Sequence, residues 1–450
     1  MKLVVTNYTG DRQNWGCQAT SRELLRFLGE AVSSWHDISI TTVPLPAPHD
    51  FDRHVEAVHG SRLRRIYGDP HPSADAICFV ETLARERFGN ACDSLAGADA
   101  VVFQGEGTIG PTSMYRSLRL FALPFLAVHL YRKPVLSMNQ SLYAIDDSDA
   151  ALLRTIFSTF GLVAVREAAS YQFARRIGLD QAVLCPDFAF RQSEAPPAQI
   201  LNNEAEYFCI TGSAARRFPA PEMLGWVLRR TTEIYGLQPI FLSSRAKDLK
   251  ELGELLIGVP EARMLSSSEI SDSAQLSTIL AAARFVIGGR YHTAITALTQ
   301  GTPAVLLPGN THKNEGIAPM LGLPLDVFGG GDEDAIIARI DDIITGRCLG
   351  KAEIRAALKD LLPIYAAFEQ FFAATLGSVC HGNGVLPPAP ACLTPPFGGT
   401  GTETPHEEVY RRSNRRRGYS VSLFHRFALH RIRKRSSLPS ELHRTLIDLP

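Results

Sequence analysis

A chain of 450 residues, 45% hydrophobic and 20% charged, has the composition of a globular protein with room for two domains. Its 46 basic and 46 acidic residues cancel, and no segment approaches the ~18 consecutive apolar residues of a membrane span. Eight cysteines, none in CxxC spacing, read as free thiols of a reducing cytoplasm, and the apolar run at Leu3–Val5 is too short for a signal peptide.

In chain order, Leu3–Val5 reads as a strand, Asn7–Gly16 as a polar loop and Gln18–Val32 as a helix. Trp15-Gly16-Cys17 stands at that junction, where an α/β protein places a ligand loop. Within the Pro- and His-rich Pro44–Pro72 one helix is expected, over Arg53–Tyr67, and another follows at Ala76–Phe88. Strand Ala100–Phe103 leads into Gln104-Gly105-Glu106-Gly107; helix Met114–Tyr131, strand Pro134–Met138 and the loop Asn139-Gln140-Ser141 come next. Helix Asp149–Phe157 precedes strand Leu162–Val165, then Arg166-Glu167, helix Ala168–Ile177 and strand Ala182–Leu184, which ends at Pro186-Asp187. Arg191–Asn203, with Pro196-Pro197, reads as a linker.

A second alternation runs through strand Tyr207–Ile210, helix Pro221–Tyr235, strand Pro239–Leu242 and helix Lys247–Ile257. Helix Ser273–Ala283 feeds strand Phe285–Ile287, a glycine turn at Gly288-Gly289 and a helix from Tyr291 toward Gly301. Strand Pro303–Leu307 opens into a polar loop through Lys313, and helices at Asp332–Ile344 and Lys351–Thr375 end the series. The expectation is an α/β fold: two Rossmann-like domains, residues 1–190 and 205–376, joined by a linker at 191–204 and facing a cleft at their strand ends. Residues 377–408 read as a Pro/Gly-rich linker and 409–450 as a basic tail. From Val409 to Pro450 eleven Lys or Arg face two Asp or Glu, so the rest of the chain is acidic by the same margin. With apolar residues interleaved, that tail suits an anionic membrane surface, the alternative being a solvated tail of no fixed structure; no nucleic-acid reader motif accompanies it, and no nucleic-acid partner is expected.

Several side chains in this layout can do chemistry. Arg166 and Arg290 each follow a strand directly, and two guanidinium forks from facing domains could clamp a ligand with two anionic groups. His292, two residues beyond Arg290 at a helix start, is an acid–base candidate. Arg290 and His292 are therefore the expected catalytic pair. Lys313, Gln140 and Asn14 are expected ligand contacts, joined by Gly105 and Glu106 in the glycine loop. No cluster of His, Cys and carboxylates suggests a metal.

Gly288-Gly289-Arg290-Tyr291-His292-Thr293-Ala294-Ile295, followed by Ala297, Gly301-Thr302-Pro303 and Lys313, resembles the polysaccharide pyruvyl transferase family. Ala164-Val165-Arg166-Glu167-Ala168-Ala169-Ser170-Tyr171, Gly178-Leu179, Cys185-Pro186-Asp187 and Gln140-Ser141 support the match, which covers roughly residues 1–375 in order. Gly105-Glu106-Gly107 departs from the family's three glycines, and Asn14-Trp15-Gly16-Cys17 from its commoner form with an acidic residue after the glycine. The resemblance implies a fold similar to the two-domain, GT-B-like glycosyltransferases. It also implies pyruvyl transfer from phosphoenolpyruvate, with no other cofactor, to a sugar or lipid-linked oligosaccharide of an envelope polysaccharide or exopolysaccharide. Arg166, Arg290 and His292 are the residues it associates with the donor. It implies a cytoplasmic transferase, which the basic tail would hold at the inner membrane face. A nucleotide-sugar glycosyltransferase of the same architecture and a non-catalytic envelope-assembly protein are the alternatives.

Overall fold

The computed structural model describes residues 1–109, 117–144, 146–197, 206–213, 221–244, 262–329, 331–380 and 386–394. Met1–Pro395 form one compact unit built on two parallel sheets. The first contains β1 (Lys2–Tyr8), β2 (Ser39–Pro44), β3 (Ala100–Glu106), β4 (Val135–Gln140), β5 (Leu162–Val165) and β6 (Ala182–Leu184), in the order β2-β1-β3-β4-β5-β6. The second contains β7 (Tyr207–Ser213), β8 (Gln238–Ser243), β9 (Arg263–Ser266), β10 (Val286–Gly289) and β11 (Ala304–Leu306), in the order β11-β10-β7-β8-β9. The central strands are continuous apolar runs because helices cover both faces; β3 to β7 are buried along their whole length. Strand order reverses between β1 and β3 in one sheet and between β7 and β10 in the other. Open α/β sheets leave a crevice at such points, beyond the strand carboxyl ends.

The two halves are tied together by the helix Trp15–Ala31, which follows β1 but packs toward the second sheet. Trp15 Nε1 donates to the Ile270 carbonyl at 3.0 Å, and Gln18 Oε1 accepts from the Ser273 N–H at 2.9 Å. On its other side Phe27 meets Phe368 and Phe372, with ring centroids 5.4 and 5.7 Å away, on the last long helix, Leu362–Cys380. Tyr365 of that helix donates to the Asp187 carbonyl at 2.6 Å, just beyond β6. The chain therefore crosses back over its first half after finishing its second.

Three details differ from the sequence reading. Gly288 and Gly289 are not a turn but the end of β10, paired with Thr211 and Ser213 of β7. A Cβ at Gly288 would lie 2.6 Å from the Thr211 carbonyl, and one at Gly289 the same distance from the Pro308 carbonyl, so the glycines are there for close strand packing. Lys351–Thr375 is two helices, Lys351–Lys359 and Leu362–Cys380. Pro363 explains the break, since it lacks the N–H that would continue the first helix but is tolerated in the first turn of the second, where no such N–H is needed. Strands β2 and β9, together with the short helix Ala91–Ala96, had no counterpart in the sequence reading. The expected helix Lys247–Ile257, most of the Pro/Gly-rich linker and the whole basic tail lie outside the described residues, as do residues 198–205 of the linker region. No helix among the described residues is long and apolar enough to cross a membrane.

Gly288→Ala should lower stability by about 1–3 kcal/mol, the usual cost of forcing a methyl group into a filled site. Urea denaturation followed by far-UV circular dichroism measures it. An unchanged midpoint would mean that β7 and β10 can move apart without cost.

Candidate active site

The carboxyl ends of both sheets open onto a cavity of about 280 Å³. The first sheet contributes Arg12 to Cys17 after β1, Glu106 to Thr108 after β3 and Arg166 after β5; the second contributes Ser244 after β8, Arg290 to Thr293 after β10, and Asn310 and Lys313 after β11. Tyr291–Thr299 is a helix whose N-cap is Arg290, so its first-turn N–H groups stand at the cavity wall.

Arg166 is 1% exposed, yet its guanidinium reaches the cavity. Its Nε donates to Ser141 Oγ at 2.8 Å and lies 3.5 Å from Glu167 Oε2. Its Nη1 donates to Asp187 Oδ2 at 2.7 Å. The Tyr291 ring lies against the same guanidinium, 4.6 Å from centroid to Cζ. Nη2 remains for the cavity, where a Cβ on Gly107 would lie 3.2 Å from it. Asp187 is the centre of this arrangement. Its Oδ1 accepts from Thr20 Oγ1 and from the Ala189 N–H, each at 2.8 Å, and its Oδ2 lies 3.3 Å from His292 Nε2. Burial alone would raise the Asp187 carboxyl pKa, but His292, Arg166 and the Ala189 N–H outweigh it and hold the group ionised far below the usual range.

The Asp187 carboxylate selects the His292 tautomer with hydrogen on Nε2. The contact of Nε2 with Arg166 Nη1, also 3.3 Å, joins two donors in that tautomer and is not a hydrogen bond. Nδ1 then lies over Gly16, where any Cβ would collide with the imidazole. Gly16 is thus small because His292 needs the space.

Lys313 is buried, and its ammonium makes no hydrogen bond among the described residues. Burial and the neighbouring guanidiniums of Arg166 and Arg290 push it down to about 7. An ammonium destabilised in this way gains from an anion in the cavity.

Of the expected site residues, Arg166, Arg290, His292, Lys313, Asn14 and Glu106 line one cavity. Asn14 is also committed to the fold: its Oδ1 caps the helix Trp15–Ala31 by accepting from Gly16 and Cys17 N–H groups at 3.1 and 3.3 Å. Gln140 does not reach the cavity. It is fully buried behind the glycine loop, where its Nε2 donates to the Ser141 carbonyl at 2.6 Å and the Glu106 carbonyl at 3.3 Å. Gly105 leaves the space that the Gln140 side chain fills, so this glycine and glutamine shape the loop from behind. Asp187, Ser141 and Tyr291 belong to the site and were not singled out as site residues from sequence. The signal for Asp187 was its place directly after Pro186 at the end of β6, the next strand over from Arg166.

Comparison with solved structures gives the fold. The UDP-bound MnaA of Staphylococcus aureus is 12% identical over 78% of this chain and 90% of its own, with a TM-score of 0.50. The UDP-GlcNAc 2-epimerase of Neisseria meningitidis bound to UDP-GlcNAc is 13% identical over 81% of this chain and 100% of its own, with a TM-score of 0.50. The Anabaena HepE structure with UDP and glucose is 13% identical, covering 84% of this chain and 100% of its own, also at 0.50. The architecture is therefore the two-sheet, GT-B-like one. No curated protein matches the sequence. The family model described as polysaccharide pyruvyl transferase matches residues 7–310, a span that contains every cavity residue named above except Lys313. The chain belongs to the polysaccharide pyruvyl transferase family.

Proposed function

We propose that this protein transfers the pyruvyl group of phosphoenolpyruvate to two hydroxyls of one sugar in a polysaccharide or its lipid-linked precursor. The product is a cyclic ketal, and phosphate is released. The observation that carries this reading is the meeting of Arg166, Arg290 and Lys313 with an oriented His292 on one cavity between the sheets. Phosphoenolpyruvate has a phosphate and a carboxylate on three carbons, and three cations from both halves suit two anionic groups so close together.

The chemistry needs a proton on the methylene carbon and bonds from two hydroxyl oxygens to the central carbon. His292, protonated on Nδ1 and held through Nε2 by Asp187, delivers the first proton, turning methylene into methyl. One hydroxyl oxygen bonds to the central carbon, phosphate leaves with the electron pair of its C–O bond, and the second hydroxyl oxygen closes the ring. Of the two hydroxyl protons, one replaces that given to the methyl group and the other leaves with phosphate. Enclosure between two sheets limits the water that would compete with the sugar.

Purified protein with phosphoenolpyruvate and oligosaccharides offering vicinal or 4,6-diols should release phosphate. Arg290→Lys and Arg166→Lys, which keep charge and lose the fork, should each cost about 1–3 kcal/mol of transition-state stabilisation. His292→Asn should slow turnover by ~10²–10⁴-fold with donor affinity nearly unchanged. Normal turnover in both lysine variants sinks the clamp. A melting temperature raised by UDP and untouched by phosphoenolpyruvate would favour a nucleotide-sugar donor instead.

Lys313 adds a pH test with a definite sign. Its ammonium sits at about 7, so at pH 8 most of the free protein carries it neutral. An anionic donor raises that value, so binding at pH 8 must take up protons, and affinity must weaken as pH rises above 7. Calorimetric titration in buffers of different ionisation enthalpy measures the uptake, which should vanish in Lys313→Met. Proton release, or uptake that survives the substitution, contradicts this account.

A further inference from the structure

We propose that Glu106 is the base that takes the proton from the attacking sugar hydroxyl, a second proton-handling group on the cavity that His292 lines. This rests on the transfer reaction proposed above and assigns one of its protons.

The cavity wall is cationic, with Arg12, Arg166, Arg290 and Lys313, and Glu106 is the one carboxylate among the described residues that line it. It is 4% exposed. Its two oxygens are treated differently by the fold. Oε1 takes hydrogen bonds from Thr9 Oγ1 and from Gln104 Nε2, which fix the carboxylate plane. Among the described residues Oε2 meets only the Cys17 thiol, at 3.6 Å, a weak donor that leaves its lone pairs to the cavity. Burial, with Glu106 beside it, pushes the Cys17 thiol up, so that neighbour stays neutral and does not compete as a base.

The backbone gives an independent reason. Glu106 has φ +46°, in the left-handed region, where a non-glycine residue is strained. It stands between Gly105, whose missing side chain admits Gln140, and Gly107, which faces Arg166 Nη2 and Lys313 Nζ at 3.2 and 3.6 Å from where its Cβ would be. Glycine at position 106 would make the same turn without strain. What glutamate adds is a carboxylate, one residue from the cations assigned to the donor.

The reaction has a place for it. As the hydroxyl oxygen bonds to the central carbon of the donor, its O–H bond breaks and the proton passes to Glu106 Oε2. The departing phosphate then carries a proton away and restores the carboxylate. His292 cannot serve this step at the same moment, because it is giving its own proton to the methylene carbon. The groups facing Glu106 are Thr9 beyond β1, Cys17 on the helix Trp15–Ala31, Gln104 on β3 and the Arg166 guanidinium beyond β5.

The test uses the full chain with phosphoenolpyruvate and methyl hexopyranosides or oligosaccharides bearing free 4- and 6-hydroxyls. Glu106→Gln should lower turnover by ~10²–10⁴-fold while leaving phosphoenolpyruvate affinity, by calorimetry, within about threefold. Glu106→Gly, which suits the backbone at this position, should fold and show the same loss. Turnover within about threefold of wild type in either variant overturns the proposal. Wild-type protein that neither binds phosphoenolpyruvate nor releases phosphate overturns the underlying reaction and this assignment together. Wild-type activity with active Glu106 variants overturns the assignment alone.

Discussion

The Asp187 carboxylate is the interaction on which the site depends. It lies at the end of β6 in the first sheet, fully buried, and holds an arginine from its own sheet and a histidine from the other. Burying such a group is costly unless every lone pair is occupied, and here Thr20, the Ala189 N–H, Arg166 and His292 occupy them. Removing one partner of a buried pair of this kind costs about 3–5 kcal/mol, because the other charge is left unpaired. The same contacts that hold the halves together thus set the Arg166 guanidinium and the His292 imidazole at the cavity wall. Since the folded-state value of Asp187 is depressed, its contribution is present above the ordinary carboxylate pKa and is lost as pH falls through the lower, folded value.

A second strap of the same type runs beside it. Glu167, next to Arg166, accepts from Ser170 and lies 3.2 Å from His312 Nε2 on the loop after β11. Ser170 Oγ is itself 3.1 Å from that nitrogen and donates to Glu167, so serine and glutamate converge on one ring nitrogen. A nucleophilic triad would need the acid and the serine on opposite nitrogens, so this cluster is structural. Its effect is to set the loop that carries Lys313. The helix Trp15–Ala31 completes the frame, with its capped end at the cavity and its far end on the Leu362–Cys380 helix.

How much of this could be read from sequence divides along physical lines. Fully buried strands announce themselves as apolar runs, and Leu162–Val165 and Ala182–Leu184 coincide with β5 and β6. Partly exposed strands do not: β2 alternates exposed and half-buried residues, with Val43 alone buried, and β9 is polar at both ends. Strand-end position placed Arg166, Arg290 and His292 together because topology brings all parallel strand ends to one side. The same logic overreached for Gln140, whose backbone is at the sheet edge but whose side chain turns away under Gly105. It also passed over Asp187, whose importance is visible only once two sheets are docked. A partner 105 positions away from His292 has no local signature.

The scaffold and the chemistry therefore rest on different parts of the chain. At 12–13% identity the structural neighbours share the fold, which says nothing of what enters the cavity. The cavity's character comes from a handful of strand-end residues, and these pull in opposite electrostatic directions. Arg166 and Arg290 drive the Lys313 ammonium toward neutrality, while Asp187 and Glu167 keep Arg166 charged although it is buried. A site with this balance favours added negative charge, because Asp187 and Glu167 are engaged with Arg166 while burial and two guanidiniums disfavour the Lys313 ammonium. An anion relieves that imbalance, which is why the residues that fold the site are also those that make it receptive.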